Sequence, residues 1–135
     1  MISIIIGSIT ENTREQVAHI ARRMNENRMF YEDVSLYNPS EEQFAQITRK
    51  EFLQELAKSN VLIMSGGETA FSILNSSGFN CLVSDYQVMP LISTGIIKGG
   101  LLHDRIYIIK GGSIGDIDIY ELLIKYARDN FQQGV

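Results

Sequence analysis

The chain has no tryptophan, a single cysteine and two prolines, and each shortage excludes something. A lone thiol, Cys81, closes no disulfide within the chain and fits a reducing compartment, so we expect a cytoplasmic protein with Cys81 buried in a strand. No apolar run approaches the roughly 18 residues of a membrane span, and no membrane partner is expected. Met1 leads directly into Ile2-Ser3-Ile4-Ile5-Ile6, with neither a basic stretch nor a small-residue cleavage site, which argues against a signal peptide. Cations are not in excess either. The formal charge is −4, and the densest basic pairs, Arg22-Arg23 and Arg49-Lys50, fall within helical patterns and read as solvated faces. Nucleic acid is therefore not an expected partner. Internal repeats and low-complexity stretches are missing as well.

What remains is the composition of one ordinary soluble domain, with 44% hydrophobic and 21% charged residues in 135. Ile2 to Ile6 is short and almost wholly apolar, as suits a strand covered on both faces. Beyond Gly7-Ser8 the period changes. Val17, Ile20, Ala21 and Met24 recur at helical spacing, and Thr13 with Gln16 has the spacing of a capping box, which predicts a helix start at Thr13. A second strand is expected over 29–36. Asn38-Pro39-Ser40 breaks the chain, and Ser40 with Gln43 opens a helix that buries Phe44, Ile47, Phe52, Leu53 and Leu56 and ends near Ser59-Asn60. Val61 to Met64 reads as a buried strand, followed by a helix from Glu68 to about Ser76 with Gly78 as a left-handed cap. Asn80 to Ser84 reads as a strand and 85–102 as irregular, with Pro90, Gly95, Gly99 and Gly100 inside it. A strand over 105–110 leads to a last helix, with Asp118 and Glu121 in its first turn and Ile119, Leu122, Leu123, Tyr126 and Ala127 as its apolar face. Strands alternating with helices predict an α/β fold, a three-layer αβα sandwich with a mainly parallel sheet, forming a single domain over 1–135.

The informative feature is a recurrence. Three times a buried strand ends in a small-residue turn before a helix: Gly7-Ser8, Ser65-Gly66-Gly67 and Lys110-Gly111-Gly112. In a parallel sheet these turns share the carboxyl edge, where open α/β sheets bind ligands. A turn without Cβ atoms lets a ligand reach the backbone, and the first amides of the following helix favour an anion. Three together suit a polyphosphate better than one carboxylate. Each also has a plain reading. Gly7-Ser8 makes a tight turn, Thr69 offers a capping hydroxyl, and Gly111, Gly112 and Gly115 make a flexible loop. Glu68 would repel a phosphate and suits a ribose hydroxyl, a metal-bound water or a structural role. Lys110 either meets a phosphate or is a solvated strand end. Neither a GxxxxGK[ST] loop nor a GxGxxG fingerprint occurs, because Lys110 stands where the latter needs its first glycine. The residues alone lead to an anion-binding α/β domain.

In order along the chain, these segments resemble the C-terminal nucleotide-binding domain of the four-carbon acid sugar kinase family (DUF1537-like). Ile4-Ile5-Ile6-Gly7-Ser8 followed by Thr13 and Gln16 is similar to that domain's opening strand, Gly-Ser turn and Thr-x-x-Gln helix start. Ser65-Gly66-Gly67-Glu68-Thr69-Ala70 is similar to its Gly-Gly-(Asp/Glu)-Thr-Ala motif, and 110–116 to its Lys-Ser-Gly-Gly-Phe-Gly-Asp motif. The segment 90–100 is similar to its Pro-Gly-Val-Pro loop. Leu91 and Ser93 depart from that loop, and Gly111, Ser113 and Ile114 depart from the terminal motif. The family's sugar-acid domain, with its Asp-rich motif, has no counterpart in the chain.

The resemblance implies ATP-dependent phosphorylation of a sugar acid, with Mg²⁺ accompanying the nucleotide. It implies nucleotide contacts by Gly7, Ser8, Ser65, Gly66, Gly67, Glu68, Thr69, Lys110, Gly111, Gly112 and Gly115. No catalytic residue is assigned: proton removal would come from a separate sugar-acid-binding domain or chain, and the chain is not expected to act alone. Thr13 and Gln16 are read as cap residues. ATP or ADP and that domain are the expected partners. A bare interface would also drive self-association, so a homo-oligomer is expected. Two other readings stand beside this one. The first is a stand-alone regulatory module binding a nucleotide or phosphometabolite without chemistry. The second is an isolated enzyme on a sugar phosphate, for which His19 and His103 are the sole histidines, the former on a polar helix face.

Overall fold

The computed structural model describes residues 1–7, 10–38, 44–89 and 92–131. Its elements run β1 (Ile2–Ile6), α1 (Glu11–Glu26), β2 (Val34–Tyr37), a 3₁₀ segment (Phe44–Thr48), α2 (Lys50–Leu56), β3 (Val61–Ser65), α3 (Gly67–Ser77), β4 (Cys81–Met89), β5 (Ile92–Lys98), β6 (Ile106–Lys110) and α4 (Ile119–Phe131). Among the described residues one sheet forms in the order β2-β1-β3-β6-β5-β4. The first four of these strands are parallel, while β5 runs antiparallel to β6 and to β4.

Every residue of β1 and β3 is buried, because helices cover both faces. Ile2, Ile4, Ile6, Val61, Ile63 and Ile108 pack with Ile20 of α1 and with Ile119, Leu123 and Ala127 of α4. Ile5, Leu62, Met64 and Tyr107 pack on the other face with Leu53 and Leu56 of α2 and Ile73 and Leu74 of α3. The molecule is a three-layer αβα sandwich with a mainly parallel sheet, as the alternating periods predict. Among the described residues no helix is long and apolar enough to cross a membrane.

Several expectations are corrected. The helix expected to begin at Thr13 begins at Glu11. Thr10 is its cap, and the Thr10 hydroxyl accepts the Thr13 amide at 3.2 Å, so Thr13 and Gln16 are not cap residues. The strand expected over 29–36 starts only at Val34, because Tyr31 N–H donates to Asn27 O and Val34 N–H to Tyr31 O, closing a turn after α1. The helix expected after Ser40 is split where Arg49 takes an extended backbone (φ −74°, ψ 144°). Its start at Ser40 and Gln43 lies outside the described residues.

The stretch read as irregular over 85–102 holds the hairpin of β4 and β5. Gly95 resembled loop residues, yet it lies inside β5, where a Cβ would stand 2.7 Å from the Tyr107 hydroxyl. Pro90 and Leu91 lie outside the described residues. Cys81, expected to be buried, is exposed, because β4 is the sheet's edge. On α4 the buried stripe is Ile119, Tyr120, Leu123, Ile124 and Ala127, and Leu122 is 47% exposed. Gly78 does end α3 in the left-handed region, at φ 78°.

Candidate functional site

β1, β3 and β6 are neighbours in register, with Ile6 opposite Ser65 and Ser65 opposite Lys110. Their carboxyl ends are tied across: Gly7 N–H donates to Ser65 O at 3.2 Å, and Gly66 N–H to Lys110 O at 3.0 Å. The glycine turns therefore begin side by side, one strand spacing of about 4.8 Å apart. β1 connects outward to β2 on one side and neighbours β3 on the other, so the chain reverses direction between β1 and β3. That switch point is where open α/β sheets form a ligand crevice.

At the central turn, Gly66 (φ 96°) caps α3, and among the described residues no side-chain cap hydrogen bond forms there. Ala70 N–H closes onto Gly66 O, which leaves the amides of Gly67, Glu68 and Thr69 outside the helical ladder at its positive end. A Cβ on Gly67 would meet nothing within 4 Å, so the space before these amides is open. Glu68 is exposed. Thr69 is 2% exposed, and its side chain occupies the place where a Cβ on Gly7 would stand. The missing side chain at Gly7 thus serves the contact between the β1 turn and α3. Ser8 lies outside the described residues.

The third turn is held from beneath. Lys110 is fully buried, so it is not a solvated strand end. Its Nζ donates to Gly111 O at 2.7 Å and to Gly112 O at 2.9 Å, and it lies 5.6 Å from the centre of the Tyr120 ring. Among the described residues no carboxylate pairs with it. Desolvation pushes its pKa down to about 8.

From α1, the buried Thr13 hydroxyl donates to Gly112 O at 2.5 Å. The buried Gln16 places Nε2 at 2.9 Å from Gly115 O and 3.2 Å from both Ile114 O and Asp116 O. Asn12 Nδ2 donates to Ser113 O at 2.8 Å. Burial pushes Tyr120 up to about 12, opposed by the neighbouring Ser65 hydroxyl. Neither of those oxygens completes a hydrogen bond among the described residues.

The roles of Thr13 and Gln16 were hidden from sequence reasoning because their partners lie about a hundred residues away. Their spacing also mimics a local cap. The one available signal was the Thr-x-x-Gln pattern itself, which a helix already capped by Thr10 does not need. The histidines do not join the edge. His19, expected on a polar face, packs against α4 with Nε2 3.1 Å from Glu121 Oε1. His103 accepts Gly99 N–H at 2.7 Å in the turn before β6, at the opposite end of that strand from Lys110. Among the described residues no group of three His, Cys, Asp or Glu side chains suits a metal ion. The chemistry on offer at this edge is a set of backbone amides at a helix N-terminus and in a glycine loop, with a buried ammonium behind the loop. Such a set suits an anion.

No family model and no curated relative matches the sequence. Solved structures do match. A Bordetella bronchiseptica protein described as a domain of unknown function (DUF1537), a domain-swapped dimer with bound citrate, aligns at TM-score 0.70 and 15% identity, over 94% of this chain and 38% of its own. A Salmonella typhimurium LT2 protein described as a putative tRNA synthase aligns at TM-score 0.67 and 14% identity, over 99% and 40%. A Haemophilus influenzae protein of the DUF1537 family model aligns at 0.60 and 17%, over 96% and 40%. This chain therefore spans about two-fifths of the length of those structures. At such identities the likeness is one of fold: the chain has the fold of a domain-sized part of DUF1537 proteins.

Proposed function

We propose that this chain is the nucleotide-binding part of a DUF1537-type, four-carbon acid sugar kinase, gripping the phosphates of ATP or ADP with the amides at the carboxyl edge of its sheet. The observation that carries this reading is the adjacency of the turns after β1, β3 and β6, which places the open N-terminus of α3 beside the loop 111–116. The amides of Gly67, Glu68 and Thr69 would hold one phosphate group, and those of the 111–116 loop another. The nucleotide would bring its own Mg²⁺, which spreads the phosphate charge. The exposed Glu68 suits a ribose hydroxyl or a metal-bound water at the rim of such a site. The acceptor sugar acid and the base that deprotonates it would belong to the other three-fifths of a protein the length of its structural neighbours. Self-association belongs to the same reading and is checked by light scattering over a range of concentrations.

The test is thermal denaturation and calorimetry with ADP or ATP and Mg²⁺. Nucleotide at 100 times its dissociation constant adds about 2.7 kcal/mol of stability and a matching rise in Tm. Absence of both heat and Tm shift at millimolar nucleotide would overturn the proposal. Phosphate transfer on adding a DUF1537 acceptor domain would support the kinase, whereas binding without transfer would favour a regulatory module.

A further inference from the structure

The loop 111–116 is held mainly by bonds directed at its carbonyls, with the Ser113 hydroxyl also donating to Thr10 Oγ1 at 3.2 Å. Lys110 takes those of Gly111 and Gly112, Thr13 also takes that of Gly112, Asn12 that of Ser113, and Gln16 those of Ile114, Gly115 and Asp116. A trans peptide is planar, with its C=O and N–H pointing opposite ways. Turning these carbonyls inward therefore turns the amides of Gly112, Ser113, Gly115 and Asp116 away from α1 and Lys110. Among the described residues none of those amides donates to a backbone carbonyl, whereas Ile114 N–H does, to Gly111 O at 3.1 Å. Ser113, Gly115 and Asp116 are exposed, while Thr13, Gln16 and Lys110 are buried.

We infer that Thr13, Gln16 and Lys110 are positioning residues that fix the peptide planes of the 112–116 loop so that its amides face outward as a seat for one phosphate group. The inference rests on the phosphate-binding reading of this edge. An ammonium at the carbonyl end of a peptide also polarises it, making the outward N–H a stronger donor. Asp116 and Asp118 add carboxylates only at the loop's far end, past the amides of Gly112, Ser113 and Gly115.

The geometry of Gln16 follows from the bonds themselves. Only its amide nitrogen can donate to carbonyls, its two N–H groups being shared over the three, and the Oε1 atom is left without a partner among the described residues. An apolar residue of the same length would avoid that unpaired atom but would release the loop.

The experiment compares wild type with Gln16→Met, Thr13→Val and Thr13→Ser at 15 °C, where folded protein is verified by circular dichroism. Hydrogen exchange of the amides 112–116 is followed without ligand, and the affinity for pyrophosphate and for Mg·ADP is measured by calorimetry. Gln16→Met and Thr13→Val should speed exchange in 112–116 and weaken pyrophosphate and Mg·ADP by about tenfold or more. Thr13→Ser, which keeps the hydroxyl, should restore both. A merely structural role would lower Tm but leave the affinity of the folded fraction and the serine rescue unmoved. If Gln16→Met does not fold, the isosteric Thr13→Val pair with Thr13→Ser decides alone. Unchanged affinity in folded variants of a wild type that binds overturns this inference and leaves the nucleotide reading intact. A wild type that binds neither ligand overturns both.

Discussion

At the scale of single residues, two glycines of the site do opposite work. Gly7 lies against Thr69, so an added methyl group collides with a buried side chain. Gly67 faces open space on the first turn of α3. Gly7→Ala should therefore lose about 1–3 kcal/mol by overpacking, while Gly67→Ala should leave stability unchanged or raise it by up to about 1 kcal/mol. Urea denaturation of the two variants checks the contrast, and equal losses would refute it.

Lys110 makes a prediction with a definite sign. Burial lowers its pKa from 10.5 to about 8, so between those values the unfolded chain holds a proton that the folded chain has lost. Stability attributable to this residue then rises with pH, by up to about 3 kcal/mol across the whole interval. Below pH 8 both states are charged and the full cost of burying the ammonium is present. Unfolding free energies of wild type and Lys110→Met at pH 7.5 and 9.5 test this: the wild type should gain on the variant as pH rises. Both values lie where the buried Tyr120, raised to about 12, is still protonated. Thr69 and Lys110 carried a readable signal in the sequence, as a small hydroxyl and a cation after apolar strands. Their burial did not, because it depends on α3 packing over the β1 turn and α4 closing over β6.

At the scale of elements, the parallel half of the sheet was legible because its strands are continuous apolar runs covered on both faces. The hairpin of β4 and β5 was not. It is an antiparallel extension at an edge, where alternation is broken by a register shift between Ser84 and Gln87 and where Gly95 lies under Tyr107. The edge position yields a prediction: Cys81 is exposed, so a thiol reagent should modify it in the native protein at a rate close to that of an unhindered thiol. Reaction only upon unfolding would show the edge to be covered. Likewise α1 is capped by Thr10, and Thr10→Ala should cost about 1 kcal/mol of stability. Thr13→Val should instead act mainly through the loop at 112–116, a division that chemical denaturation and hydrogen exchange together resolve.

At the scale of the whole molecule, both apolar clusters use the same sheet. Ile63 faces α1 and α4, while Met64, the next residue on β3, faces α2 and α3. Truncating either to alanine should cost about 2–5 kcal/mol, and calorimetry of each variant should show one cooperative transition. Two separate transitions would mean that the helical layers unfold independently.

What the sequence determined by itself is the layered α/β architecture and the three places where a strand hands over to a small-residue turn. Both are written in local period and in glycine placement, and neither needs a distant partner to be read. Only the tertiary structure decided that β1, β3 and β6 are neighbours, since strand order follows from which helices cover which face. It also decided that Thr13 and Gln16 serve the loop at 112–116 rather than their own helix. Those bonds join residues about a hundred positions apart, and no local pattern encodes a contact that exists only once α1 and the end of β6 have packed together.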